Sequence, residues 1–270
     1  MKIKLIALDL DGTLMAEGHR IPEENLSAIR LAQAQGMRFT ICSGRIFEEA
    51  AAFTHAIRLS VPIAASGGSA VYSMPDGALL KSYDIADDAL ARIVPILGKY
   101  PTFCMYYVGA RVCMDVHARQ MFLRTDTDEG RKLKIDIVPD AGRHLLSGIK
   151  VQKIFVKAET PGALAALRSE LRAAGCVRVS SSGADNIELN DLSGGKGEAL
   201  RFIARRLGLS MDEVACVGDN ENDLAMFEAC AYAACMKNGT DSARRAADYN
   251  TGRTHLEAGA AQAIAHIASL

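Results

Sequence analysis

The sequence lacks the features that mark membrane, secreted and nucleic-acid-binding proteins. No apolar run approaches the roughly 18 residues that a membrane-spanning helix needs. Asp9 and Asp11 interrupt the apolar stretch near the amino end too early for a signal peptide. Thirty-one Lys and Arg against 32 Asp and Glu leave a net charge of −1, so no overall field favours nucleic acid or an anionic membrane. We therefore expect a cytoplasmic protein that acts on a small molecule at a local site. The pattern does not predict its oligomeric state.

Cysteine and histidine patterns are also missing. The seven cysteines include no Cys-x-x-Cys pair, and the six histidines have no metal-ligand spacing. A disulfide framework is therefore not expected, and the thiols should be reduced.

What is present at both ends of the chain is the pattern of an open α/β sheet. A near-continuous apolar run at 3–10 predicts a central parallel strand, because such strands are covered on both faces. Helical spacing at 22–35, a strand at 38–42, a helix at 47–58 and a strand at 62–65 follow. This alternation predicts right-handed crossovers and an α/β fold.

The middle of the chain has a different pattern. A hairpin around Gly109, further alternating strands and an alanine-rich helix at 162–174 indicate an α+β grouping. The opening pattern returns after Gly194 and Gly195 and ends in a helix predicted at 256–270. We predict a Rossmann-like parallel sheet core formed by 1–81 and 192–270, interrupted by an inserted α+β domain at 82–191.

Polar and glycine-rich segments follow the predicted strands, at the sheet edge where ligands of open α/β sheets bind. These segments are "DLDGT" at 9–13, "SGR" at 43–45, "SGG" at 66–68 and "GDNEND" at 218–223. Acidic residues that converge from separate parts of the chain suggest a hard divalent cation. Mg²⁺ suits few carboxylates together with waters and a phosphate.

The residue types at this edge fit phosphoryl transfer. One carboxylate of the pair Asp9 and Asp11 can attack phosphorus while the other reaches the leaving oxygen. Ser43 and Gly44 can offer a hydroxyl and an N–H to phosphate oxygens, and Lys196 can balance the remaining negative charge.

Four ordered segments, "DLDGTL", "ICSGR", "GGKGEAL" and "GDNENDLAMF", resemble the motifs of the haloacid dehalogenase (HAD) superfamily. The position and size of the insertion resemble the Cof-type branch with a type IIB cap. "MKNGT" at 236–240 and "HLEAGAAQAI" at 255–264 are similar to the closing segments of that branch. The resemblance covers essentially the whole chain.

The resemblance implies a role for each matching residue. Asp9 is the expected nucleophile, which forms an aspartyl-phosphate, and Asp11 is the acid that protonates the leaving group and then activates water. The residues expected to bind the phosphoryl group are Ser43, Gly44, Lys196 and Asn222. The expected Mg²⁺ ligands are the Asp9 carboxylate, the Asp11 backbone carbonyl and Asp219, with Thr13 and Asp223 in support.

One segment departs from the branch, which often has Asn-Gly after its third strand. Here Gly67 stands where that asparagine is common. Without the asparagine amide, a contact with the substrate or with residues around the site is no longer expected. The expected chemistry is unchanged.

These features lead to a Mg²⁺-dependent phosphatase acting on small phosphorylated metabolites, such as sugar phosphates or nucleotide-like cofactor phosphates. A phosphomutase, which returns the phosphoryl group to a sugar, stays open because eukaryotic phosphomannomutases resemble this branch. A phospho-accepting signalling receiver and a catalytically inactive binding protein fit less well. Taken singly, Lys196 is also compatible with a solvated lysine, and Asp219 and Asp223 with helix-capping residues.

Overall fold

The computed structural model describes residues 2–17, 20–125, 134–158, 160–183 and 185–270. The chain divides into two compact units, Met1–Lys81 with Gly195–Leu270, and Ser82–Gly194. The strands are β1 (Leu5–Leu8), β2 (Arg38–Ile41), β3 (Ile63–Ala65), β4 (Ala70–Tyr72), β5 (Leu79–Ser82), β6 (Thr102–Val108), β7 (Arg111–Asp115), β8 (Ile135–Val138), β9 (Lys153–Ala158), β10 (Arg178–Ser180), β11 (Asn186–Asn190), β12 (Val214–Gly218), β13 (Tyr232–Cys235) and β14 (Tyr249–Asn250). The helices are α1 (Glu23–Ala34), α2 (Phe47–Ala51), α3 (Asp87–Leu97), α4 (Val116–Thr125), α5 (Ala141–Leu145), α6 (Pro161–Ala174), α7 (Lys196–Arg206), α8 (Leu224–Ala229), α9 (Asp241–Ala246) and α10 (Gly259–Ala268).

The first unit contains a parallel sheet of order β14-β13-β12-β1-β2, which confirms the predicted α/β core. Strand β1 is buried throughout because both faces of the sheet are covered. Ile6 and Leu8 pack into one apolar cluster with α1 and α10, whereas Leu5 and Ala7 pack into a second cluster with α7 and α8. The central position of β1 places its carboxyl end in the middle of the ligand-binding edge.

Two predicted helices of this unit are shorter than expected. The helix predicted at 47–58 ends at Ala51, where the backbone changes to tighter bonds between residues three apart, such as that from the Thr54 N–H to the Ala51 carbonyl at 3.1 Å. The helix predicted from residue 256 begins at Gly259. It is preceded by a short 3₁₀ turn and by Ala258, whose φ of 55° breaks the helical path.

The second unit is the predicted α+β grouping. Its sheet has the order β10-β11-β9-β6-β7-β8, and the pairs within it are antiparallel except for β7 with β8. Gly109 has a φ of 57° in the β6–β7 hairpin. Helices α3 and α6 pack against one face of the sheet through an apolar cluster that includes Ile93, Ile154 and Leu167. Within the described parts of the chain, none of the helices combines the length and apolar character needed to cross a membrane.

Candidate active site

Asp9 lies at the carboxyl end of β1, in the interior of the first unit. Its backbone N–H donates to the Val217 carbonyl at 3.0 Å, which continues the pairing of β1 with β12. The residue is 5% exposed, so its carboxylate has lost most of its hydration. An ionised carboxylate in such a place requires a positive partner.

Lys196 is the first positive partner of Asp9. Its ammonium lies 2.6 Å from Oδ1 of Asp9 and 2.6 Å from Oδ1 of Asp223. The Lys196 side chain is fully buried at the first turn of α7. Burial alone would lower the pKa of Lys196, but Asp223 and Asp9 outweigh it and raise that pKa above its ordinary value. Lys196 therefore stays charged between the two carboxylates.

Asp223 also organises the loop that follows β12. Its Oδ2 accepts hydrogen bonds from the backbone N–H groups of Asp219 at 2.8 Å and Asn220 at 3.0 Å. Both oxygens of Asp223 are thus engaged by protein donors. Asp223 is therefore bonded to the backbone of the loop that carries Asp219.

The turn after Asp9 brings Asp219 close to the backbone of Gly12. Gly12 has a φ of 76°, and a Cβ at this position would lie 2.4 Å from Oδ2 of Asp219. Only glycine accommodates both the left-handed backbone and this close approach. The Thr13 hydroxyl donates to Oδ1 of Asp219 at 3.2 Å. The "DGT" segment therefore shapes the position of Asp219.

When all three are ionised, the clustered carboxylates of Asp9, Asp219 and Asp223 carry more negative charge than Lys196 balances. One oxygen from each of Asp9, Asp219 and Asp223 lies within 4.8 Å of the others, and Lys196 supplies one positive charge to this group. Burial raises the pKa of Asp219 to about 7 and raises the pKa of Asp9 well above its usual range. Both shifts follow from desolvation together with neighbouring negative charge.

The same residues fit a hard divalent cation. Lys196 engages Oδ1 of Asp9 and Thr13 engages Oδ1 of Asp219, so these bonds leave the Oδ2 atoms of both residues for another partner. Carboxylate oxygens with excess negative charge suit Mg²⁺. A divalent cation would offset the charge that Lys196 leaves unbalanced.

Asp11 has a different environment from Asp9. Its two carboxylate oxygens accept from Arg45, with Nε to Oδ2 at 2.8 Å and a terminal guanidinium nitrogen to Oδ1 at 2.6 Å. The Asp11 side chain is 55% exposed, whereas that of Arg45 is 8% exposed. The guanidinium also lies over the Phe53 ring, 5.7 Å from its centroid. Asp11 is thus the accessible carboxylate of the Asp-x-Asp pair.

The remaining residues predicted to bind phosphate lie on two loops. Ser43 is buried after β2, and its Oγ accepts from the Arg45 backbone N–H at 3.2 Å. Gly44 follows it and is half-buried. Asn222 lies half-buried in the 3₁₀ turn Glu221–Asp223, next to Asp223. Ser43, Gly44 and Asn222 thus lie in the loops where the sequence placed them. Their roles in phosphate binding remain predictions.

The glycines after β3 have a packing role. Gly67 has a φ of 72°, a conformation that asparagine also tolerates, and its N–H donates to the Ser43 carbonyl at 3.0 Å. Gly68 has a φ of 89°, and a Cβ there would lie 2.2 Å from the carbonyl carbon of Gly195. This close approach lets the turn pack against the segment that presents Lys196.

Two further residues, Arg45 and Asn238, contact the site, and the sequence pattern predicts no role for either. Arg45 was visible as the last residue of "SGR", but the pattern does not say which carboxylate its guanidinium faces. Asn238, in "MKNGT", donates from its side-chain amide to the Gly12 carbonyl at 2.9 Å and accepts from the His255 N–H at 2.9 Å. In the sequence, the segment "MKNGT" and its similarity to the family were the signal that pointed to Asn238.

Comparison with known proteins gives consistent results. A family model described as haloacid dehalogenase-like hydrolase matches residues 6–264. A 5-amino-6-(5-phospho-D-ribitylamino)uracil phosphatase of Bacillus subtilis (strain 168) is 29% identical over 265 residues, which are 98% of this chain and 95% of that protein. The solved structure of a haloacid dehalogenase-like hydrolase from B. subtilis is similar with a TM-score of 0.85 at 24% identity, covering 98% of this chain and 99% of that one. A HAD subclass IIB sugar phosphatase is similar with a TM-score of 0.82 at 18% identity, covering 99% and 100% of the two chains. The two structural similarities show a shared fold.

Proposed function

This chain belongs to the haloacid dehalogenase-like hydrolases, and on that premise we propose that it is a Mg²⁺-dependent phosphatase of small phosphate monoesters. The observation that carries the proposal is the cluster of Asp9, Asp219 and Asp223, in which the ammonium of Lys196 contacts Asp9 and Asp223. Membership of the family confirms the resemblance drawn from the four sequence motifs.

Asp9 is the proposed nucleophile. Lys196 engages its Oδ1. A bond from a carboxylate oxygen of Asp9 to phosphorus forms while the bond from phosphorus to the ester oxygen breaks, which gives an aspartyl-phosphate. Water then attacks phosphorus, inorganic phosphate leaves, and the Asp9 carboxylate is restored.

Asp11 is the proposed proton carrier for both steps. It gives a proton to the departing ester oxygen and later takes one from the attacking water. The ion pair with Arg45 occupies both oxygens of Asp11, so this pair must open for either transfer. The large exposed fraction of the Asp11 side chain is compatible with such a movement.

The transferring phosphoryl group needs donors and positive charge. Lys196 supplies the positive charge, and the Ser43 hydroxyl, the Gly44 backbone N–H and the Asn222 amide are the proposed donors to its oxygens. Asp223 holds Lys196 in place through the 2.6 Å bond to its ammonium.

Mg²⁺ is the proposed cofactor, held by the Asp9 carboxylate, the Asp11 backbone carbonyl and Asp219. When bound, it neutralises charge on the phosphate oxygens and helps to align them. Thr13 orients Asp219 through its hydroxyl, and Gly12 allows the close approach of the two segments.

The proposed substrates are sugar phosphates or nucleotide-like cofactor phosphates. Support comes from the ribityl phosphate in the name of the B. subtilis relative, and the sugar phosphatase shares the fold. Residues 1–81 and 192–270 are the proposed catalytic core, and the α+β insertion, predicted at 82–191, is the proposed type IIB cap.

The test is phosphate release from a panel of phosphate monoesters, with Mg²⁺ and with EDTA. The proposal expects release that requires Mg²⁺, is lost in Asp9→Asn and is kept in Asp212→Asn. Asp212 is a matched control because it is an exposed aspartate of the same unit. Absence of release from every ester by folded wild type would contradict the proposal. Transfer to a sugar in place of water would indicate a phosphomutase.

A further inference from the structure

Two of the seven cysteines lie side by side in the first unit. Cys216 is fully buried on β12, and Cys230 follows the last residue of α8. Their sulfur atoms are 3.2 Å apart. Both are free thiols in this structure.

The backbone around the pair holds the two segments next to each other. The N–H of Ala231 donates to the Val214 carbonyl at 2.9 Å, so the chain after α8 is attached directly to β12. A disulfide bond is about 2.0 Å long, so the sulfurs must approach each other by about 1.2 Å. Small side-chain rotations can supply a movement of this size without separating the segments.

The two thiols differ in a way that suits sequential oxidation. Cys230 is half-buried, so a small oxidant can reach it, whereas Cys216 is enclosed. The hydrogen bond between the two sulfurs lowers the pKa of the Cys230 thiol, while burial raises the pKa of the Cys216 thiol. A thiol with a lowered pKa has more of the reactive thiolate. Cys230 is therefore the thiol that reacts first.

We propose that Cys216 and Cys230 form a reversible disulfide when the protein meets a peroxide. The Cys230 thiolate attacks a peroxide oxygen, the O–O bond breaks, and a sulfenic acid and hydroxide form. The Cys216 sulfur then attacks the Cys230 sulfur, the S–O bond breaks, and water leaves. Two thiols lose two electrons in total, and one molecule of hydrogen peroxide becomes two molecules of water. A dithiol reductant reverses the bond by exchange.

The bond closes a loop that contains both Asp219 and Asp223. It would join the middle of β12 to the residue after α8, across the segment that carries these carboxylates. The two cysteines flank the segment that carries two carboxylates of the candidate site. Formation of the disulfide does not depend on the proposed phosphatase activity.

The experiment treats the full chain with about one equivalent of hydrogen peroxide, blocks remaining thiols with iodoacetamide and measures the intact mass. The expected product lacks about 2 Da, carries two fewer blocking groups than the reduced protein, and returns to the reduced mass with dithiothreitol. Glu221 and Glu228 lie between the two cysteines, so a glutamate-specific protease yields separate peptides that only the disulfide joins.

Two variants make the assignment specific. Cys230→Ala must lose the joined peptides, whereas Cys235→Ala must keep them, although Cys235 lies on the same peptide as Cys230. Oxidation of wild-type Cys230 to sulfinic acid with Cys216 still reduced would overturn the proposal. So would a disulfide that joins any other pair. Fragmentation of the joined wild-type peptides between Cys230 and Cys235 gives this answer even if a variant fails to fold.

Discussion

The Nζ atom of Lys196 lies 2.6 Å from Oδ1 of Asp9, although 187 positions separate the two residues in the chain. The contact joins the first strand of the core to the first turn of α7, where the chain returns after the insertion. Asp223 adds a second carboxylate to the same ammonium. The two parts of the first unit thus meet through a buried ionic group as well as through apolar packing.

Replacing Lys196 with Met should destabilise the fold. The substitution removes the charge but keeps a long side chain, and it leaves the carboxylates of Asp9 and Asp223 buried without this partner. Breaking a buried ion pair from one side typically costs about 3–5 kcal/mol. Urea unfolding in the presence of EDTA measures the change in the free energy of unfolding.

Lys4→Met is the control for this measurement. Lys4 pairs with Glu213 in the same unit, but both side chains are partly exposed to solvent. Its loss should cost at most about 1 kcal/mol, as for other surface pairs. If both substitutions lowered the free energy of unfolding equally, the buried ion pairs of Lys196 would stabilise the fold no more than a surface pair.

Gly12→Ala should weaken Mg²⁺ binding. The new methyl group would lie 2.4 Å from Oδ2 of Asp219, so that carboxylate or the turn must move. A displaced ligand should lower the apparent affinity for Mg²⁺ by roughly 10–100-fold, as loss of supporting contacts does at other metal sites. The dependence of phosphate release on Mg²⁺ concentration measures this change.

Gly36→Ala is the control that separates the effect of backbone strain from the effect of a contact with Asp219. Gly36 also has a positive φ, of 91°, but no atom lies within 4 Å of the position that its Cβ would occupy. It should lose stability by about 1 kcal/mol from backbone strain and keep its Mg²⁺ dependence. A change in Mg²⁺ dependence in this variant would contradict the contact argument.

The stability of the metal-free protein should fall as the pH rises towards neutrality. Burial raises the pKa of Asp219 to about 7, above its ordinary value, so the folded state holds a proton that the unfolded state has lost. The stabilising contribution of this proton is present at low pH and is lost as the pH rises through about 7.

Mg²⁺ should reverse this trend, because a metal ion requires the ionised carboxylate. The increase in melting temperature on adding millimolar Mg²⁺ should be larger at about pH 8 than at about pH 5.5. Thermal unfolding at both pH values, with and without Mg²⁺, tests the prediction, and Asp219→Asn should remove most of the difference. The same increase at both values in wild type would argue against Asp219 as a ligand.

The position of Asp9 could be predicted from the sequence, because the apolar pattern of β1 and the polar residues after it give independent information. Apolar residues on both faces indicate a central strand, and Asp9 at its end must then lie at the ligand-binding edge. The convergence of Asp9, Lys196 and Asp219 follows from that topology. The inserted α+β unit was visible in the same way, from a change of periodicity.

Other features depend on side-chain placement that local patterns do not record. The pairing of Arg45 with Asp11 joins residues on two different strand ends, and nothing in "SGR" specifies that carboxylate. The start of α10 is set by the left-handed backbone of Ala258, a residue that ordinarily favours helix. The contact of Cys216 with Cys230 likewise arises only once α8 packs beside β12.

The proposed role of Asp9 as carrier of the phosphoryl group is tested by the mass of the acid-quenched enzyme after mixing with an aryl phosphate and Mg²⁺. Asp11→Asn should retain an added mass of about 80 Da, because an aryl leaving group needs little protonation whereas hydrolysis of the aspartyl-phosphate needs the base. Peptide mapping should place the added mass on Asp9, and the double variant Asp9→Asn with Asp11→Asn should lack it. An adduct that persists in the double variant, or that maps to another residue, would contradict the account.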